Sequence, residues 1–305
     1  MSIRAWLVRR QIRKMFRRDL FVKPGEPVPE PNFNEALSVS EARMPQPPKT
    51  TEVEAVEAEH GGVKFKGEWV AEPGTRKNRI LFYSHGGGYV WGSPKVYRDL
   101  GWRLSKACDA RVFLLDYSLA PDAQCPTQIN EGLAAIDYIR EANPDAKFAM
   151  SGDSAGGNLT AALMLAMRDS GRKPADVISM ISPWLDLTGS GESIKTNGKK
   201  DVMLRPDGIA MASAAYAGSI DPSDPQPSPL FADHSNLPPM LMQVGSEEIL
   251  LDDSVRIHAS VTKSGGNSTL KVWNKMHHVW HMSAGIVPEG KQAIQQIADF
   301  FNKHW

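Results

Sequence analysis

Hydrophobic positions along the chain fall into two alternating rhythms from residue 80 onward. Short continuous apolar runs occur at 80–83, 112–115, 148–150, 177–181, 240–244 and 270–273. Their length is that of strands, and the absence of polar alternation means that both faces of each strand are to be buried. Between them, residues 96–107, 127–141, 157–168, 253–263 and 291–302 repeat apolar positions at helical spacing. Strands alternating with helices predict an α/β protein with a mostly parallel sheet covered on both faces. Ahead of this rhythm, residues 53–56 and 63–65 alternate apolar and polar positions around the turn signal Gly61-Gly62, which predicts two leading antiparallel strands. No internal repeat is present.

Two stretches break the pattern. Residues 188–229 open with glycine and serine, carry a helix-like segment at 206–217 and end rich in proline. Such a stretch is too long for an ordinary connection and is expected to be an insertion with its own role, such as a lid. At the other break, residues 3–20 set Arg4, Arg9, Arg10, Arg13, Lys14, Arg17 and Arg18 among Trp6, Leu7, Val8, Ile12, Met15 and Phe16. The segment lacks the apolar core and cleavage site of a secretory signal. A basic, loosely amphipathic helix can lie on a membrane surface. It can also cover an apolar part of its own protein, and that second reading is preferred here. Residues 23–48, rich in proline and polar side chains, read as a surface connector.

Composition narrows the picture only modestly. The 305 residues are 41% apolar and 23% charged, which is the balance of a globular enzyme with a sizeable core. Basic and acidic residues number 35 each, so no overall field recruits nucleic acid. The two cysteines, Cys108 and Cys125, do not make a disulfide framework and suit a reducing, cytoplasmic compartment. No apolar run approaches the ~18 residues expected of a membrane span. A homo-oligomer is compatible with this composition but is not specified by it.

The chemistry is concentrated in two glycine motifs. Gly152-Asp153-Ser154-Ala155-Gly156 fits the G-x-S-x-G nucleophile elbow, with an apolar strand before it and a helix-forming run after it. The glycines let the chain turn sharply and present Ser154 in a strained position. A phosphate cradle would also use glycines at a strand-to-helix turn, but no Lys-Ser or Lys-Thr pair follows. His85-Gly86-Gly87-Gly88 stands directly after the run at 80–83. Acyl transfer creates a negative oxygen, and consecutive glycines let backbone N–H groups approach it closely.

A serine nucleophile needs a base, and the base needs an orienting acid. The order Ser, acid, His removes His60 and His85 from the eight histidines. His234 precedes the last acid region, His258 lies in a helical stretch, and His304 is at the C-terminal end. His277, His278 and His281 remain. Their spacing does not make a typical zinc pattern, so no metal or organic cofactor is expected. The acid is expected after the run at 240–244, where Glu247, Glu248, Asp252 and Asp253 all qualify.

Taken together these residues resemble the hormone-sensitive-lipase-like α/β-hydrolases, the bacterial family IV esterases. Asp116-Tyr117-Ser118-Leu119-Ala120-Pro121 is similar to that family's D-Y-R-L-A-P segment, and Ser182-Pro183-Trp184-Leu185-Asp186 to its S-P-W-x-D segment. The block from Pro238 to Asp253 is similar to the one carrying the acid, and His278-Val279-Trp280-His281 to the region of the base. The resemblance implies an α/β-hydrolase fold with Ser154 as nucleophile, His278 as base and Glu248 as acid. It places the oxyanion donors at Gly87, Gly88 and Ala155. It also implies a helical cap formed by residues 1–45 and 186–224 over a core of residues 46–185 and 225–305. Two positions depart from the family pattern: Ser118 replaces an arginine, and the acid is glutamate where many members have aspartate.

The expected activity is a serine carboxylesterase acting on small to medium acyl esters through an acyl-enzyme, with a small-molecule ester as its partner and no nucleic acid. Tyr89, Trp91, Trp184, Met203 and Leu204 are candidates to line the acyl pocket, against the alternative that each packs in the core. Two competing readings are an interface-activated lipase and a hydrolase fold that binds without catalysis. The second loses ground because nucleophile and base are both present.

Overall fold

In the computed structural model, which describes residues 1–17 and 33–305, the strand-like runs assemble into one eight-stranded sheet. The strands are β1 (Glu52–His60), β2 (Val63–Ala71), β3 (Arg79–Ser84), β4 (Arg111–Leu115), β5 (Lys147–Asp153), β6 (Val177–Ile181), β7 (Met240–Gly245) and β8 (Ser268–Trp273). Their order across the sheet is β1-β2-β4-β3-β5-β6-β7-β8. β1 pairs antiparallel with β2 across the Gly61-Gly62 turn, and β2 pairs antiparallel with β4. Every later pairing is parallel.

Successive side chains of a strand point to opposite faces, and here each face meets its own helices. Ile80, Phe82, Phe113, Leu115, Phe148 and Met150 enter a core shared with α4 (Thr127–Ala142), α5 (Ala155–Asp169) and α8 (Leu251–Lys263). Leu81, Tyr83, Val112, Leu114, Ala149 and Ile181 enter a second core with α3 (Pro94–Cys108) and α9 (Pro288–His304). Burial on both faces explains why the central strands read as unbroken apolar runs. Each large apolar side chain so buried contributes roughly 1.5–3 kcal/mol relative to exposure. β8, at the edge, is only half-buried.

The helices extend beyond their expected ends because caps are invisible to hydrophobic spacing. Pro94 and Pro288 each open a helix ahead of its expected start, where the missing N–H is no loss. The insertion between β6 and β7 contributes a short helix α6 (Glu192–Thr196) and α7 (Pro206–Ala217), the latter spanning the expected residues.

At the N-terminus, α1 (Ile3–Phe16) stops before the expected residue 20; positions 18–20 lie outside the described residues, as do 23–32 of the expected connector. The rest of that connector departs from expectation: Phe33–Arg43 forms α2. Its run of Ala, Leu, Glu and Arg between proline-rich flanks has good helix propensity, which the flanking prolines obscured. The inner side of α1 rests on the body of the protein, where Ala5 is fully buried against Met276, Trp280, Val287 and Ala293. Among the described residues, no helix is long and apolar enough to cross a membrane.

Candidate active site

Ser154 sits between the end of β5 and the first residue of α5, with φ 54° and ψ −121°. A non-glycine residue in that region is strained, and the strain is held by surrounding bonds. The Ser154 N–H donates to the Ile181 carbonyl at 2.9 Å, and its own carbonyl accepts from Trp184 N–H at 3.0 Å and Asn158 N–H at 3.1 Å. Gly156 permits the turn, since a Cβ there would lie 2.0 Å from the Ser84 carbonyl oxygen.

The loops after β6, β7 and β8 meet beside this elbow. His278 Nδ1 and Glu248 Oε2 are 2.7 Å apart, and both side chains are buried. The other carboxylate oxygen, Oε1, accepts from Gly245 N–H at 2.6 Å and from the Ser182 hydroxyl at 2.8 Å. Ser182 Oγ also accepts from Val279 N–H at 3.4 Å, so one hydroxyl ties the acid's loop to the histidine's loop. Burial opposes a charge on His278, but the bond and charge of Glu248, aided by Asp201 and Asp153, outweigh it and raise its pKa above the ordinary 6.5.

The neighbouring histidines have different surroundings. Burial lowers His277 and His281 to about 3, which keeps both neutral. His281 Nε2 bonds Gln243 Oε1 at 2.7 Å, while His277 Nδ1 is buried with no hydrogen-bond partner among the described residues. The other acids also find separate partners. Glu247 is ion-paired with Arg9, Asp252 accepts from Ser193 N–H, and Asp253 accepts from Leu185 and Asp186 N–H.

The glycine loop after β3 is anchored by a group that sequence reasoning passed over. Asp153 is buried and accepts from Tyr83 OH at 2.8 Å, Tyr97 OH at 2.9 Å and Gly86 N–H at 3.0 Å. Burial raises its pKa to about 6, against those donors and the His278 charge. Gly86 N–H is committed to Asp153 and the Tyr97 hydroxyl, whereas the N–H groups of Gly87 and Gly88 have no acceptor among the described residues and can be offered to a ligand. Both have positive φ, 120° and 64°. Ala155 follows Ser154 at the N-terminus of α5, where the helix dipole adds positive potential. The signal for Asp153 was its place inside the elbow motif; those for its two tyrosines were lost among ordinary core residues.

Of the pocket candidates, Tyr89 is fully buried, stacked on Tyr216 at 3.5 Å and bonded to Asn158. Trp184 is likewise buried, with Nε1 donating to the Asp186 carbonyl. Trp91, Met203 and Leu204 are half-buried.

Comparison with known proteins agrees with this architecture. The family model described as alpha/beta hydrolase fold matches residues 81–282. An acetyl-hydrolase of Streptomyces hygroscopicus is 36% identical over 234 residues, covering 76% of this chain and 78% of the relative. An esterase from the bacterial hormone-sensitive lipase family superposes with a TM-score of 0.89 at 33% identity, covering 100% of this chain and 99% of the other. The esterase EstE5, soaked with p-nitrophenyl butyrate, matches with a TM-score of 0.89 at 34% identity over the same shares. The chain belongs to the alpha/beta hydrolase fold family, in its hormone-sensitive-lipase-like branch.

Proposed function

We propose that this carboxylic ester hydrolase cleaves small to medium acyl esters through an acyl-enzyme on Ser154. The observation that carries the reading is the buried 2.7 Å bond between His278 Nδ1 and Glu248, in loops tied through Ser182 to the residue whose carbonyl holds Ser154. With Nδ1–H donating to Glu248, His278 Nε2 carries the lone pair needed to take the Ser154 proton. The alkoxide attacks the ester carbonyl, and the N–H groups of Gly87, Gly88 and Ala155 hold the oxyanion. His278 returns the proton to the departing alcohol. It then deprotonates a water that attacks the acyl-enzyme, releasing the acid and free Ser154.

The acetyl-hydrolase and the butyrate-soaked esterase among its relatives support short acyl groups as substrates. Trp91, Met203 and Leu204, being half-buried, suit the acyl pocket, whereas Tyr89 and Trp184 suit packing. The expected cap of residues 1–45 and 186–224 is retained in this reading, with 18–32 lying outside the described residues, and the free, buried cysteines accord with a cytoplasmic location.

The test is turnover of p-nitrophenyl acetate, butyrate and longer esters, with mass spectrometry after phenylmethylsulfonyl fluoride. We expect hydrolysis favouring the short esters and a single adduct on Ser154. No turnover of any ester, or an adduct elsewhere, overturns the reading.

One observation favours a second role at a surface. Ile3, Trp6 and Leu7 are exposed on α1 beside Arg4, Arg10 and Lys14, a composition suited to an anionic bilayer. Co-sedimentation with anionic but not zwitterionic vesicles is the result it requires.

A further inference from the structure

The insertion between β6 and β7 carries a buried carboxylate that the chemistry above does not use. Asp201 Oδ1 accepts from Met203 N–H at 2.8 Å and Leu204 N–H at 3.0 Å, while Oδ2 accepts from Ile249 N–H at 2.9 Å. Ile249 is the residue after Glu248. One side chain therefore ties the backbone of the insertion to the backbone of the acid.

The same point is gripped from α1. Arg17, buried at the end of that helix, donates to the Asp201 carbonyl at 2.6 Å and the Gly198 carbonyl at 2.9 Å. Arg9 donates to the Lys200 carbonyl at 3.0 Å and the Lys275 carbonyl at 2.6 Å, and pairs with Glu247. Asn197 Nδ2 donates to the Glu248 carbonyl at 3.0 Å. Arg9, Asp201, Glu247, Glu248 and His277 line one small cleft.

We infer that Asp201 is a positioning residue: it fixes Glu248 against His278 and links that pair to Met203–Leu204 and to α1. This rests on the assignment of Glu248 as the acid. A carboxylate is required because it accepts on both oxygens. An asparagine can serve Met203 and Leu204 with its oxygen, but then its NH₂ faces the Ile249 N–H, donor against donor. The negative charge has a second effect, since Asp201 favours the protonated form of His278 in the same sense as Glu248 and Asp153.

The experiment compares Asp201→Asn and Asp201→Glu, each alone and combined with Glu248→Gln, on p-nitrophenyl butyrate, with thermal melts to establish folding. For Asp201→Asn we expect kcat to fall about 10- to 100-fold with little change in KM, the cost of a slightly misplaced acid. The acid limb of kcat/KM should also move to lower pH. Glu248, Asp153 and His277, the other titratable groups facing His278, are untouched in that variant. Asp201→Glu should lower kcat yet leave the acid limb in place, and it supplies the test if the asparagine variant does not fold. In the Glu248→Gln background either change should cost less than about threefold, because no acid remains to be positioned. An equal loss in both backgrounds, or undiminished kcat in a folded single variant, overturns the role of Asp201. Wild-type turnover in Glu248→Gln alone instead overturns the triad reading beneath it.

Discussion

His278 Nδ1 and Glu248 Oε2 lie 2.7 Å apart in a region closed to solvent. The remaining oxygen of Glu248 is held by the N–H of Gly245 and the hydroxyl of Ser182, so the carboxylate has little freedom to rotate. A longer acid than aspartate is thus accommodated by pinning its second oxygen to its own turn. Glu248→Gln keeps the packing but favours the wrong tautomer of His278, and turnover should fall by roughly four orders of magnitude. Glu247 is occupied by Arg9 instead, and Glu247→Gln should stay near wild type. Steady-state rates of the two variants under identical conditions decide between them. A crippled Glu247 variant beside an active Glu248 variant reverses the assignment.

Ser154→Ala should abolish turnover, by about a million-fold in kcat on the precedent of a triad nucleophile. The fold should survive, because the bonds holding the elbow come from the Ser154 backbone and not from its hydroxyl. A thermal melt near that of the wild type, together with loss of the Ser154 adduct, is the expected pair of results. More than a few per cent residual activity removes Ser154 from its role.

Gly87 and Gly88 should not tolerate alanine equally. A Cβ on Gly87 would lie 1.8 Å from the Trp91 carbonyl oxygen, at a φ of 120° that side chains rarely adopt. Backbone must shift there, taking the proposed oxyanion donor with it, and loss of one such donor costs about 100- to 1,000-fold in kcat. Gly88 also has a left-handed φ, 64°, but there the nearest atom would be the Ala212 Cβ at 3.3 Å, a side-chain contact that small movements relieve without displacing the loop backbone. Gly87→Ala should therefore lose at least about tenfold more kcat than Gly88→Ala. Equal losses in the two variants count against this geometry.

The contrast between what the sequence carried and what it did not has a physical basis. Strands β3 to β7 were legible because burial on both faces leaves unbroken apolar runs, and the elbow because a sharp turn needs small residues around Ser154. Glu248 could be told from Glu247 only through the family resemblance, since adjacent carboxylates look alike until one meets Arg9 and the other His278. Ser182, Asn197 and Asp201 act through isolated long-range hydrogen bonds, which leave no periodicity in the chain. Asp153 was in view inside the elbow motif, but its partners Tyr83 and Tyr97 come from β3 and α3, and only folding brings them to it.

The pH dependence of the reaction follows from the groups around His278. In the proposed mechanism the free enzyme is active when that imidazole is neutral, because only then can Nε2 take the Ser154 proton. Burial alone would push its pKa down, yet Glu248 bonds it directly and Asp201 and Asp153 act on it through space, and the balance lies above 6.5. As pH falls through that raised value the imidazolium accumulates and kcat/KM should drop about tenfold for each further pH unit. The midpoint of the acid limb should therefore lie above 6.5, not below it as burial of a lone histidine would give. Removing one of the acids lowers it. Asp153→Asn should move the limb to lower pH while keeping measurable turnover, since an amide oxygen in the Oδ1 place still accepts from Tyr83 OH and Gly86 N–H, while the NH₂ in the Oδ2 place donates to the Tyr97 hydroxyl. Asp153 itself titrates near 6, so in the wild type its protonation overlaps the lower part of the limb and weakens the support it gives His278. Profiles of kcat/KM from about pH 5 to about pH 9 for the wild type and Asp153→Asn supply the check. A wild-type midpoint at or below 6.5, or an Asp153→Asn midpoint displaced upward, would show that the carboxylates do not govern His278 in this way.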